Sequence, residues 1–81
     1  MVKMLIDLKS VEDAKRFVGI VRKYDYSIDV LSQQYVIDGK SILGLLSLDL
    51  SKPLEVYIRN DNCQDLVEEL AIFAHNLLNE I

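Results

Sequence analysis

Residues 39–53 read GKSILGLLSLDLSKP. Six of the ten residues from Ser41 to Leu50 are Ile or Leu, and the one charge among them is Asp49. Ser41 at the head can cap a helix beginning at Ile42, because its hydroxyl can accept a first-turn amide. Pro53 closes the stretch where a strand can begin with one donor fewer. The segment therefore reads as a short helix of roughly two turns set between strands. Such a helix buries a stripe only a little over about 100° wide, so Ile42, Leu43, Leu45, Leu46 and Leu48 cannot all face inward. Some of them are expected at the surface.

Working outward, the flanks alternate. Upstream, Ile28, Val30 and Ser32 against Asp29 and Leu31 predict a strand, and Tyr35–Asp38 predicts another across the polar turn Ser32-Gln33-Gln34. Downstream, Leu54, Val56 and Ile58 against Glu55, Tyr57 and Arg59 predict a fourth strand. The chain opens with a strand, where Val2, Met4, Ile6 and Leu8 share one side. Ser10-Val11-Glu12-Asp13 then forms a capping-box pattern, with Asp13 in the place of the usual Glu. Val11, Ala14, Phe17, Val18, Val21 and Tyr24 make the apolar stripe of a first helix ending near Asp25. Arg59-Asn60-Asp61-Asn62 is a turn with an Asx cap. Beyond it Leu66, Leu70, Phe73, Ala74, Leu77 and Ile81 predict one long final helix, widened by Val67 and Leu78. Gln64, Asp65, Glu68, His75, Asn76 and Asn79 lie opposite, and Glu68 and Glu69 read as a solvated helical face.

The order is β-α-β-β-α-β-α. Helices on one face of a mainly antiparallel sheet make an α+β two-layer domain. The other sheet face would carry Lys3, Asp7, Asp29, Glu55 and Arg59, with Leu5, Leu31 and Tyr57 among them. Isolated exposed apolar residues of that kind are normal, so a monomer or weak homodimer is expected. At 81 residues, one domain spanning 1–81 is expected.

The charge balance narrows the function. A net charge of −4 argues against nucleic acid, which needs clustered Lys and Arg, and against an anionic membrane surface. No apolar run approaches the roughly 18 residues that span a bilayer. The N-terminus MVKMLIDLKS lacks a small-residue cleavage site, so a cytoplasmic location is expected. One Cys and one His exclude an internal disulfide, a multi-Cys metal site and a His cluster. No cofactor or metal is expected. Cys63 reads as a packed or semi-exposed residue rather than a redox centre, because it falls on the apolar side of the last helix.

Lys40-Ser41-Ile42-Leu43-Gly44-Leu45-Leu46-Ser47-Leu48 resembles the K-S-I-M-G-V-M-S-L segment of HPr, the histidine-containing phosphocarrier of the bacterial sugar phosphotransferase system. Phe17-Val18-Gly19-Ile20-Val21-Arg22-Lys23-Tyr24-Asp25 resembles the end of that family's first helix. The resemblance implies an open-faced β-sandwich with three helices on one side of four strands. It also implies a carrier or regulator rather than an enzyme. The partners it implies are phosphotransferase-system proteins, a Ser kinase or a transcriptional regulator.

Against the same family, one place departs. HPr carries G-L-H-A-R-P before its first helix, and its His accepts a phosphoryl group. Aligned back from the helix, Ser10 takes the place of that His and Glu12 the place of the Arg. A serine ester is too stable to relay a phosphoryl group. Glu12 and Asp13 already occupy the positive end of the helix dipole and would repel another anion. His75 falls on the polar face of the last helix and reads as a solvated residue rather than a substitute. Ser41 reads in two ways: as a plain N-cap worth about 1 kcal/mol, or as the regulatory phosphorylation site that the family resemblance implies. The same resemblance implies that Ile42, Leu43, Leu45, Leu46 and Leu48 form a partner-contact surface.

Overall fold

The computed structural model describes residues 1–75. Its elements run β1 (Val2–Ile6), α1 (Val11–Val21), β2 (Ile28–Ser32), β3 (Tyr35–Asp38), α2 (Ile42–Leu46), β4 (Leu54–Ile58) and α3 (Gln64–Leu70), then a 3-10 turn at Ala71–Phe73. The strands form one sheet in the order β1-β4-β2-β3, with each neighbouring pair antiparallel. Among the described residues β4 is the last strand in sequence and lies between β1 and β2, so the sheet is complete only once residues 54–58 are in place.

The alternation seen in the sequence sets the register. Val56 lies opposite Met4 on one side and Val30 on the other, and Val30 lies opposite Ile37. That row crosses the whole sheet on its covered face. In β4, Leu54, Val56 and Ile58 are fully buried while Glu55 is exposed. Ala14, Phe17, Val18 and Val21 come down from α1, Leu45 from α2, and Leu66 and Leu70 from α3. Phe17 and Phe73 meet edge to face with centroids 6.2 Å apart, the arrangement that aromatic quadrupoles favour. Each Leu or Ile buried this completely contributes about 1.5–3 kcal/mol. The expected α+β open-faced architecture, with three helices on one side of a four-stranded sheet, is the one observed.

Gly39 is required by close approach. A Cβ there would stand 2.9 Å from Ile28 Cγ2 and 3.0 Å from the Ile28 carbonyl oxygen. The bare α-carbon lets the Gly39 amide donate to Ile28 O at 2.7 Å and brings the start of α2 in against β2.

Two helix ends differ from expectation. α1 stops at Val21 rather than near Asp25. Beyond it Lys23 N–H bonds Ile20 O and Tyr24 N–H bonds Val21 O, at 3.1 and 3.2 Å, which is the tighter three-residue winding common at helix ends. The final helix is much shorter than its apolar spacing predicts. Asn60 Oδ1 accepts the Asn62 amide at 2.7 Å in an Asx turn, but the N-cap is Cys63, without a side-chain bond. Cys63 is buried and free.

α3 ends at Leu70, and after the 3-10 turn Ala74 swings to φ −57°, ψ 132°. Ala74 then pairs with Ile6 across the outer edge of β1. Asp7 N–H donates to Phe73 O and His75 N–H to Leu5 O, both at 2.8 Å. Bonds to a strand edge have overridden a local helical period, as tertiary context routinely does. The predicted stripe positions Leu77, Leu78 and Ile81, and the opposite-face positions Asn76 and Asn79, lie outside the described residues. Glu69 is likewise no bare solvated face. It accepts from Lys23 Nζ at 2.6 Å and from the Tyr24 hydroxyl, tying α3 to the end of α1. No described helix is long and apolar enough to cross a membrane.

Candidate functional site

Two helix starts carry the candidate residues. At the first, Ser10 is the N-cap of α1 in an extended conformation (φ −156°, ψ 167°), and its Oγ accepts the Asp13 amide at 3.1 Å. The reciprocal half of the box has shifted by one residue. Asp13 Oδ2 accepts the amide of Lys9, at 3.0 Å, rather than that of Ser10. Glu12 reaches Lys15 at 3.7 Å, an exposed pair worth little. Ser10 is thus committed to capping, and no described side chain is bonded to it as a base.

Beside this start lies a cleft lined by Asp7, Lys9, Asp13, Arg16, Ile72, Phe73 and Ala74. Arg16 spreads over the Phe73 ring, with 6.0 Å from Cζ to the centroid. Cations are therefore present at this end of α1 even though Glu12 stands where the family resemblance looks for one. The helical pattern alone turns Arg16 away and gives no hint of the cleft.

His75 corrects the expectation most sharply. It is not on a solvated helix face. Its Nδ1 lies 2.8 Å from Asp7 Oδ2, and the two side chains are only 23% and 29% exposed. A carboxylate oxygen only accepts, so Nδ1 is the donor. The partners are 68 residues apart in sequence, and no local pattern signals their meeting.

At the second helix start, Ser41 is the N-cap of α2, and its Oγ accepts the Gly44 amide at 3.1 Å. Gly44 fits this cap closely, since a Cβ there would lie 3.3 Å from Ser41 Oγ and 3.4 Å from Ile37. Lys40 does not face the hydroxyl. Its Nζ donates to Tyr24 O at 2.7 Å, and its carbonyl accepts from Arg22 Nε at 3.0 Å, so the approach to α2 is tied to the end of α1.

The apolar residues of the second site divide as a single-stripe helix must. Leu45 is fully buried, Ile42 and Leu48 are partly buried against the core, and Leu43 and Leu46 are 80% and 40% exposed. A shallow groove between α1 and α2, lined by Lys15, Val18, Gly19, Arg22 and Ile42, sits next to them. Lys15 and Arg22 thus stand as two cations beside an apolar floor of Val18 and Ile42.

Residues 11–76 match the family model for the phosphotransferase-system HPr component phosphorylation site. The match begins one residue after Ser10 and includes all of α2. No curated protein matches the chain. Among solved structures, the crystal structure of HPr-C-His from Thermoanaerobacter tengcongensis is similar at a TM-score of 0.75 and 23% identity, covering 89% of each chain. The phosphocarrier protein HPr of Bacillus anthracis str. Ames is similar at 0.69 and 17%, covering 91% of this chain and 96% of that one. At such identities the structures speak to the fold, and the family match, over most of the sequence, speaks to descent. The chain belongs to the HPr family of phosphotransferase-system phosphocarriers.

Proposed function

We propose that this HPr-family chain is degenerate as a phosphocarrier at the start of α1 and acts as a regulatory, protein-binding module of the sugar phosphotransferase network, in the cytoplasm, through the Ser41–Leu48 surface. The observation that carries the reading is Leu43, which stands 80% exposed in the first turn of a helix capped by Ser41. Large apolar side chains left this open on a small domain mark contact surfaces when they cluster, and Leu46 adds to the patch. At the start of α1, Ser10 in the place of the family's His and Glu12 in the place of its Arg support loss of the relay. Ser41 is the regulatory position. A phosphate there meets first-turn amides in a helix with no acidic residue in that turn.

Intact-mass measurement tests the reading. Incubation with ATP and the Ser kinase that acts on this family should add one phosphate to the wild type and none to Ser41→Ala. Leu43→Asp should weaken capture by the phosphotransferase-system regulator at unchanged fold. An acid-labile adduct formed with phosphoenolpyruvate and enzyme I would overturn the degenerate-carrier half. Absence of any kinase adduct would remove the regulatory mark.

A further inference from the structure

Nothing in the sequence stops α3 at Leu70. Residues Ala71–His75 contain neither Gly nor Pro, two of them are Ala, the best helix former, and no residue there takes the left-handed conformation that ends many helices. The apolar stripe Leu66, Leu70, Phe73 continues in helical spacing past this point. The helix ends because β1 claims the segment.

We infer that Ala71–His75 is a two-state element: the Asp7–His75 pair holds it as a strap along β1, and when that pair is broken it continues α3 as helix. Along the backbone the strap makes one bond more than the continued helix. In the strap, Ala74 N–H bonds Ala71 O, His75 N–H bonds Leu5 O, and Asp7 N–H bonds Phe73 O. In a continued helix the Ala74 and His75 amides turn to Leu70 O and Ala71 O instead. The Asp7 N–H to Phe73 O bond and the side-chain bond from His75 Nδ1 to Asp7 Oδ2 are both on the strap side of the exchange. Phe73 is the hinge, since it is 4% exposed in the core and also falls on the helical stripe. Local preference and observed structure disagree here, which is the condition for a bistable element. Release removes the Ala74 wall from the cleft that Lys9, Asp13 and Arg16 also line, and it bares the outward carbonyl of Leu5 on β1 and the amide of Asp7 just beyond it. The inference goes beyond the docking reading and stands independently of Ser41 and α2.

Asp7→Ala breaks the pair from outside the segment. Backbone carbon shifts of Ala74 and His75 should move from extended toward helical values, and exchange of the His75 amide should rise on the order of tenfold. The Val30 and Val56 amides should keep their protection, which certifies the fold. Adding Ala74→Val, whose branched side chain disfavours helix, should return both signals toward the wild type. His75→Leu, read the same way, replaces Asp7→Ala if that variant does not fold. Unchanged shifts and exchange would overturn the inference, and so would shifts that move to coil rather than helix.

Discussion

Ser10 and Ser41 make the same bond at two helix starts. Each hydroxyl accepts the amide three residues on, at 3.1 Å, from Asp13 in α1 and from Gly44 in α2. Their surroundings differ. The first turn of α1 holds Glu12 and Asp13, whereas that of α2 holds no acidic residue. Favourable helix-end charge is worth about 0.3–1 kcal/mol. Two like charges about 6 Å apart repel by roughly 1–3 kcal/mol at the effective dielectrics of a protein surface and its solvent. A phosphoryl group at Ser10 would face two carboxylates, with Lys9, Lys15 and Arg16 nearby to offset part of the repulsion. At Ser41 the helix's own first turn adds no carboxylate, and the nearest one is Asp38, which accepts the Lys40 amide at 2.9 Å. The capping geometry is shared, and on the function proposed above it is the neighbouring charges that set the two serines apart.

The largest effect expected from breaking this comparison lies within α2 itself. Leu45 is fully buried and Leu43 is 80% exposed, two residues apart on a five-residue helix. Leu45→Ala should cost about 2–5 kcal/mol in urea unfolding, by lost burial plus a cavity. Leu43→Ala should stay within about 0.5 kcal/mol, as surface changes do. Equal losses would mean that α2 is covered on both sides, and the contact surface would be gone.

The caps come next in size. Ser10→Ala and Ser41→Ala should each cost about 0.5–2 kcal/mol. Aspartate sharpens the contrast, because it is as good a cap as serine but brings a charge. Ser41→Asp should be near neutral. Ser10→Asp should be less stable than Ser41→Asp, by a margin that shrinks as added salt shortens the screening length. Equal stabilities at low salt would show that Glu12 and Asp13 do not set the field at the start of α1.

The sheet was legible because the alternation of β2 and β4 coincides with their burial, whereas β3, which is mostly exposed, was legible from its place across the polar turn. β2, β3 and β4 occupy the ranges that their patterns mark. The Lys40–Leu48 segment announces both α2 and the family. The Asp7–His75 pair and the link from Lys23 to Glu69 were not legible. They join residues 68 and 46 positions apart, and neither leaves a spacing signature in the chain. The same holds for the end of α3. Its cause is the free edge of β1, which a reading of the local helical period does not contain. The cleft beside α1 goes unread for that reason, since Ile72, Phe73 and Ala74 reach it only after the helix has ended.

The smallest expected effect concerns Tyr24, which joins the two helix regions. Its carbonyl accepts from Lys40 Nζ at 2.7 Å, next to Ser41, and its hydroxyl donates to Glu69 of α3. The Glu69 hydrogen bond, then burial and the charge of Glu69, push the Tyr24 phenol up from its ordinary 10.0 to about 12. Glu69 moves the other way, held below the usual carboxylate range first by Lys23 and then by Tyr24. The signs follow by linkage. Tyr24 is raised on folding, so its contribution is complete below pH 10 and is lost as pH climbs towards about 12. Glu69 is depressed, so its contribution is present above its ordinary 4.5 and is lost as pH falls through its folded value. Glu69→Gln removes the charge that holds the phenol proton. The Tyr24 ring resonance should then titrate nearer its ordinary value. Stability at neutral pH should change little, because these groups are only partly buried and solvent still screens them. The Gly44 amide should stay put, since the Ser41 cap does not depend on Glu69. A Tyr24 midpoint that does not move would assign the shift to burial instead. A Gly44 amide that moves with it would show that α3 reaches the Ser41 site through Tyr24 and Lys40, and the second helix start would no longer be independent of the rest of the fold.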